Sequence, residues 1–401
     1  KKNIKDATIL VKSSAIKSNN LEVREAKRRK LPIYERVEIL SNIVSLKKNI
    51  IVSGSHGKTT TTSLVSKILL KSRLDPTIIN GGVINSIKNN AKHGKGDWAV
   101  LEADESDGSF LKLPINYSIV TNIDKEHIEY YKSYKNLENC FIKFINKTPP
   151  IGKSLICIDN KNINKILTKI KNINILTYGF NKKSNYRISN PRYYTDHSLF
   201  DLQYKDLNDR KKIIKNINLR LIGRHNILNA AAAVAVCINL GVNINIIKKA
   251  LKNFSGVQRR MTKIFTKNKN EFFDDYAHHP TEISSIIDGV KKAYKKRKII
   301  TVFEPHRYSR IISLKNAFSK SFAKSDLVLI CPLYAAGEKK NSRFSLLNFA
   351  KLISRNSKTQ TILVKNQVEL SNYFKKNLIS NEIIIGMGAG SISKWIREMV
   401  L

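Results

Sequence analysis

The chain has 401 residues, 42% of them hydrophobic and 26% charged, and a formal net charge of +41. That length exceeds one ordinary core and calls for two or three domains; no apolar run is long enough to cross a bilayer, and no membrane partner is expected. Lysine is spread along the chain together with asparagine and isoleucine, as in residues 160–166, so the charge reads as a codon-composition bias and no nucleic-acid partner is expected.

The opening Lys1-Lys2-Asn3-Ile4-Lys5-Asp6 lacks the apolar stretch of a secretory signal and favours a cytoplasmic location. The first apolar run covers residues 8–12, with a loop through Ser14 behind it, and a domain boundary is expected at 45–49. Residues 50–53 form a strand that breaks into Gly54-Ser55-His56-Gly57-Lys58-Thr59-Thr60, after which Leu64, Val65, Ile68 and Leu69 recur at helical spacing. Strand, glycine-framed turn and helix together cradle phosphates: backbone N–H groups converge, Lys58 reaches the outer phosphates and Thr59 can ligate Mg²⁺. The pattern is a shortened G-x-x-G-K-T, because Val52 stands where the longer motif has its first glycine.

Two further strands, 98–101 and 117–120, end in chemistry. The first runs into Glu102-Ala103-Asp104-Glu105-Ser106-Asp107, the second into Thr121-Asn122-Ile123-Asp124-Lys125-Glu126-His127. Four acids within six residues beside a phosphate loop call for a divalent cation, and hard oxygen ligands point to Mg²⁺ or Mn²⁺. His127 suits a second such site, or simply caps a helix. Another strand lies at 154–158, and the polar, tyrosine-rich 181–216 reads as a hairpin insertion of low regularity. Gly223-Arg224-His225-Asn226 precedes an alanine-rich helix over 227–239; Asn226 is placed to N-cap it, or with His225 to face a nucleotide base.

A second boundary falls around 255–260, and strands are expected at 271–274, 298–303, 326–330, 361–364 and 382–385. The first of these ends in Asp274-Asp275-Tyr276-Ala277-His278-His279-Pro280-Thr281-Glu282. The second ends in Glu304-Pro305-His306-Arg307-Tyr308-Ser309-Arg310, where paired arginines suit a carboxylate. Gly386-Met387-Gly388-Ala389-Gly390 is a strand-to-helix turn that needs glycine without any ligand. The four cysteines are far apart, so neither disulfides nor zinc are expected. The alternation of short apolar runs with helices makes the chain α/β with largely parallel sheets.

The phosphate loop, the acidic run, Gly223-Arg224-His225-Asn226, the 274–282 run and Pro305-His306-Arg307-Tyr308-Ser309-Arg310 fall in the order of one family. From about Asp6 to its C-terminus the chain resembles the Mur ligases. The resemblance implies a three-domain architecture: a sugar-nucleotide-binding Rossmann-like unit at 1–46, a parallel-sheet ATP-binding domain at 47–257, and a Rossmann-like amino-acid-binding domain at 258–401. Relatives open with a glycine-rich G-x-G-G-x-G-M turn that this chain lacks, so the first unit is expected to be incomplete.

Within the family the motifs look most like those of the member that adds the first amino acid. It joins L-alanine to the lactyl carboxylate of UDP-N-acetylmuramate through an acyl phosphate made with ATP. By motif position, Gly54 through Thr60, His225 and Asn226 would bind ATP, with Lys58 on the γ-phosphate. Thr59 and Glu102 would ligate one Mg²⁺, with Glu105 able to replace Glu102, and His127 would ligate the second. Tyr276, His278, His306, Arg307 and Arg310 would hold L-alanine and the reacting centre, and Ser14 the sugar nucleotide. Lys58, Glu102, His127, His278, His306 and Arg307 would form the catalytic set. Sister ligases that add later residues carry a lysine, carbamylated in use, about where Phe141 stands. A peptide-recycling ligase is more similar, yet Ser106-Asp107-Gly108-Ser109-Phe110 and His306-Arg307-Tyr308-Ser309-Arg310 look more like the alanine-adding enzyme. A family member without turnover is the remaining alternative.

Overall fold

The structure is a computed structural model that describes residues 2–206 and 208–399. It opens with a small parallel pair, β1 (Leu10–Lys12) and β2 (Ile33–Glu35), with α1 (Leu21–Arg28) between them and α2 (Arg36–Val44) after them. Val37 and Val44 on α2 belong to the hydrophobic cluster of the next unit, so this helix is anchored to its neighbour's core.

The middle unit begins with β3 (Lys48–Ser53), α3 (Lys58–Lys71), β4 (Thr77–Ile84), β5 (Asn89–Lys92), β6 (Trp98–Glu102) and β7 (Tyr117–Val120). It continues through α4 (Ile128–Tyr131), α5 (Tyr134–Asn146), β8 (Lys153–Cys157), α6 (Lys161–Ile166) and β9 (Ile175–Gly179). Three further strands follow, β10 (Tyr186–Tyr193), β11 (Ser198–Lys205) and β12 (Lys211–Leu219), then α7 (Arg224–Asn239) and α8 (Ile244–Lys252). One ten-stranded sheet holds all ten strands in the order β12-β11-β10-β9-β8-β7-β3-β6-β4-β5. From β10 to β4 the pairing is parallel, with antiparallel additions at both edges. β3 carries Ile50, Ile51 and Val52 and is buried from Asn49 to Ser53, as a strand covered on both faces must be. It sits where the strand order reverses, the crevice in which open parallel sheets bind ligands.

The stretch 181–216 is more regular than its composition implies. Instead of a loose hairpin it supplies a three-stranded antiparallel meander that extends the main sheet. Its strands bury one residue in two or fewer, so their apolar signal is weak. Behind the sheet, α7 is buried along nearly its whole length. Its alanines, Ala230 to Ala233 and Ala235, are fully covered and let it pack closely on α3.

The last unit contains β13 (Thr262–Lys267), β14 (Asn270–Asp275), α9 (Pro280–Ala293), β15 (Ile299–Phe303), α10 (Tyr308–Ser313), α11 (Lys315–Lys320) and β16 (Leu327–Ile330). α12 (Leu346–Ser357), β17 (Gln360–Leu363), α13 (Gln367–Asn377), β18 (Ile383–Met387) and α14 (Ile392–Arg397) complete it. Its six strands run β13-β14-β18-β15-β16-β17, parallel except for β13. Separate apolar clusters cover its two faces. Backbones of the last two units meet at Gly223 and Gly289, where a Cβ built on Gly289 would stand 2.9 Å from Gly223 Cα. The 386–390 turn is structural: Gly390 packs against the Tyr334 ring and the Glu304 carboxylate. The four cysteines are unpaired. Among the described residues no helix is long and apolar enough to cross a membrane.

Candidate active site

β3 ends at Ser53 and α3 starts at Lys58, so the phosphate loop lies at the sheet's switch point as a tight strand-to-helix turn. Gly57 has φ +83° and Gly54 φ +133°. A Cβ on Gly57 would stand 2.5 Å from Asn229 Oδ1 on α7, and one on Gly54 only 2.2 Å from Thr121 Oγ1. Both positions therefore require glycine, for backbone conformation and for space. The Ser55 and His56 N–H groups donate to Asn122, which pins the loop to the end of β7. The first-turn N–H groups of α3 have no intrahelical acceptor, and such groups attract anions.

Lys58 curls over this loop. Its Nζ donates to the Gly54 carbonyl at 2.7 Å and lies 2.7 Å from Glu105 Oε2. Burial opposes its charge, but Glu105 and Asp104 outweigh that and hold its pKa above the usual lysine value. Glu105 is fully buried, and burial pushes its carboxyl up to about 7 despite the lysine. Thr59 Oγ1 donates to Glu102 Oε1 at 3.0 Å, and the Gly81 N–H donates to the other Glu102 oxygen at 2.6 Å. The two glutamates thus occupy different places, Glu102 beside Thr59 and Glu105 between Lys58 and His127.

His127 Nε2 is 3.9 Å from Glu105 Oε1, a buried oxygen with no hydrogen-bond partner. Asp104, Glu105 and His127 each offer a ligand atom within 4.8 Å of the others. His127 is also the N-cap residue of α4, with φ +55°, yet its side chain makes no capping bond. Burial lowers its pKa and keeps the imidazole neutral, the form that ligates metal. The orphaned carboxylate oxygen and the hard donors fit a divalent cation.

Next to the loop, a cavity of about 290 Å³ opens between the middle and last units, a size suited to a small ligand. His56, Gly57, Asn226, Asn229, Asp275 and Glu282 are among its walls, as is His225. Asn226 does not cap α7. Gly223 is the N-cap residue, and the Asn226 amide donates to the Ile222 carbonyl instead. The positive φ of Gly223, +97°, moves the helix start three residues upstream of the asparagine.

The last unit reaches this loop directly. His56 Nε2 is 3.2 Å from Asp124 Oδ2 and its Nδ1 is 3.5 Å from Glu282 Oε1, while its ring packs 4.6 Å from that of His279. Thr281 Oγ1 donates to the same Asp124 carboxylate at 2.5 Å. Burial alone would lower the His56 pKa, but bonds to Asp124 and Glu282 overcome it and raise it to about 10. Nothing in local sequence assigns Asp124, Thr281 and Glu282 a role, although all stand in the strand-end runs 121–127 and 274–282. Their meeting depends on an approach across more than 150 residues.

Tyr276, His278, His306, Arg307 and Arg310 gather at the ends of β14 and β15. The rings of Tyr276 and His278 are 5.2 Å apart, those of His278 and His306 5.6 Å. Arg310 Nη1 is 3.1 Å from His306 Nδ1, and its Nη2 is 3.9 Å from Glu126 Oε1, the residue before His127. That contact links this cluster to the phosphate-loop cluster. Arg307 adopts φ +66° and has a buried Nε with no partner. Burial, then His278 and Arg310, push His306 down to about 4, so it is neutral. Ser14, after β1, lies near Asp107, which accepts from the Ser109 N–H at 2.9 Å; burial would raise that carboxyl, but Ser109 and Ser14 hold it low. Phe141 is fully buried against Phe110, and Lys143 is exposed, so α5 presents no lysine to the site from either position.

The Mur ligase middle domain model matches residues 52–237, and the Mur ligase, glutamate ligase domain model matches 259–390. The chain is 55% identical over 399 residues to UDP-N-acetylmuramate–L-alanine ligase of Pelagibacter ubique (strain HTCC1062), covering 100% of this chain and 86% of that one. It is 38% identical to the ligase of the same name from Chelativorans sp. (strain BNC1), covering 98% and 84%. The crystal structure of UDP-N-acetylmuramate-alanine ligase MurC from Thermotoga maritima matches at TM-score 0.79 and 26% identity, over 98% of this chain and 84% of that one. The expectation that the first unit lacks its opening strand–turn–helix finds no support in these likenesses. A chain with this fold, this phosphate loop and these relatives belongs to the Mur ligase family.

Proposed function

We propose that this chain joins L-alanine to the lactyl carboxylate of UDP-N-acetylmuramate with conversion of ATP to ADP and phosphate, a cytoplasmic step of peptidoglycan synthesis. The relatives named for that reaction support the reading. The observation that carries it is the convergence of two clusters from different units. Lys58, Thr59, Glu102, Glu105 and His127 surround the phosphate loop, and His306, Arg307 and Arg310 face them through the Arg310–Glu126 contact. On this reading residues 1–46 serve the sugar nucleotide, with Ser14 contributing, 47–257 hold ATP and 258–401 hold the amino acid.

In the reaction, a lactyl carboxylate oxygen attacks the γ-phosphorus of ATP, and ADP leaves. The amine of L-alanine then attacks the acyl carbon; phosphate departs and the amine loses a proton. Lys58 Nζ holds the transferring phosphoryl group, and the free N–H groups at the α3 N-terminus hold the other phosphates. Thr59 with Glu102, and His127 with Glu105, would hold Mg²⁺ or Mn²⁺, which when bound spreads the charge of phosphoryl transfer. Asn226 and His225 lie where the base would enter the cavity. Arg307 and Arg310 orient the amino-acid carboxylate, while neutral His306 and His278 with Tyr276 line the approach of the amine.

Phosphate release by the purified chain with ATP and Mg²⁺, omitting each other substrate in turn, tests this. Release that needs both UDP-N-acetylmuramate and L-alanine, with the product mass confirmed, supports the reading. Release that needs a peptide in place of L-alanine, or no release from a chain that binds ATP, overturns it.

A further inference from the structure

α10 begins immediately after the arginine that the proposed function places on the amino acid. Arg307 is its N-cap residue and makes no side-chain capping bond. The missing cap comes from a distant segment. Glu338 Oε2 accepts the Ser309 N–H at 3.0 Å, and Oε1 accepts the Ser309 hydroxyl. The same segment grips the loop at two further points. The Tyr334 carbonyl accepts the Arg307 N–H at 2.9 Å, and the Tyr334 N–H donates to the Pro305 carbonyl at 2.8 Å. His306 and Tyr334 pair as an isolated parallel bridge, and their rings stack 5.7 Å apart at 7°.

These contacts bear on a strained place. Arg307 is a non-glycine residue at φ +66°, and the supporting segment turns through Ala336 at +50° and Gly337 at +83°. Such backbone persists only where its surroundings over-determine it. Arg310 lies one turn along α10 and touches His306. Any rotation of the first turn of α10 therefore moves both arginines and the histidine together. Hydrogen bonds to Ser309 and the charge of Arg307 hold the Glu338 carboxyl low against the effect of burial, so it is ionised. Both of its oxygens accept from Ser309, so the carboxylate is tied to the first turn of α10.

We propose that the Tyr334–Glu338 segment is the support of the amino-acid site, with Glu338 the positioning residue that fixes the directions of Arg307 and Arg310. This rests on the reading that those arginines hold the amino-acid carboxylate.

Steady-state kinetics on the full chain test it with three variants. Glu338→Ala should raise KM for L-alanine about tenfold, the size of one lost charge-assisted bond, and leave KM for ATP within about twofold. Glu338→Gln can still accept from the Ser309 N–H and donate to its hydroxyl, so it should restore KM to within about threefold of wild type. Ser309→Ala, which keeps the N–H bond, should fall between them and serves if Glu338→Ala does not fold. Equal losses for ATP and L-alanine overturn the proposal, as does a Gln variant as impaired as Ala. Arg307→Ala is measured alongside. If it raises KM for L-alanine and Glu338→Ala does not, the positioning role alone fails; if wild-type turnover ignores L-alanine, the reading of the site fails.

Discussion

Lys58 Nζ and the fully buried Glu105 Oε2 stand 2.7 Å apart in a pair that spans the phosphate loop and the acidic run. The pair holds the lysine over the turn, where the carbonyls of Gly54 and Ser55 also accept from it. Lys58→Ala should lower kcat by about a hundredfold to a thousandfold, the usual effect of removing one donor from developing charge. Phosphate release checks this, and a variant with wild-type kcat would refute the phosphate-loop assignment.

Removal of divalent cation should abolish phosphate release, and Mg²⁺ or Mn²⁺ should restore it. His127→Ala leaves Glu105 Oε1 without its neighbouring imidazole, so the Mg²⁺ concentration for half-maximal rate should rise about tenfold or more. Titration of the rate with Mg²⁺ measures it; an unchanged midpoint removes His127 from the metal site.

His56 bridges Asp124 and Glu282 across two units, and this makes their association depend on pH. Its folded pKa, about 10, lies above the ordinary 6.5. A raised pKa contributes stability that is fully present below about 6.5 and lost as pH climbs toward 10. Wild type should therefore exceed His56→Gln in melting temperature most at pH 6, with the gap narrowing toward pH 9.5. A gap that is constant or widens over that range would rule out the protonated bridge.

Gly57→Ala would set a Cβ against Asn229 Oδ1 and force a strained φ. A destabilisation of about 1–3 kcal/mol and weaker ATP binding are expected. Urea unfolding and nucleotide titration of the same preparation read both effects; wild-type values for either would show that the turn tolerates a side chain.

Arg307→Ala should weaken L-alanine far more than ATP, because Arg307 opens α10 in the last unit while Lys58 and the start of α3 in the middle unit serve the phosphates. Comparable losses for both substrates would reassign it.

Much of this was legible along the chain. Strands at 98–102 and 117–120, the phosphate loop and the second-half strands stand where their apolar runs lie, because strands buried on both faces cannot hide their composition. β4 carries no strand signal in sequence, because Asn80-Gly81-Gly82 inside it reads as a turn; there Gly81 brings its backbone against Glu102. The antiparallel meander looks irregular in sequence because its strands are only partly buried. Asn226 is a good N-cap by residue type, but Gly223 reaches φ +97° and starts α7 ahead of it.

By itself the sequence determined which residues could do chemistry, since each motif follows one strand and strand ends in parallel sheets are where ligands bind. Fold class and family followed from the order of those motifs. Tertiary structure alone decided which motifs meet. It separated Glu102 from Glu105, closed His56 between Asp124 and Glu282, joined Arg310 to Glu126 and set Glu338 behind Arg307. Apart from the choice between the two glutamates, these contacts depend on how two sheets are docked, or on a loop folding back over a neighbouring strand end. Local spacing carries no record of either, because it describes only residues that share an element.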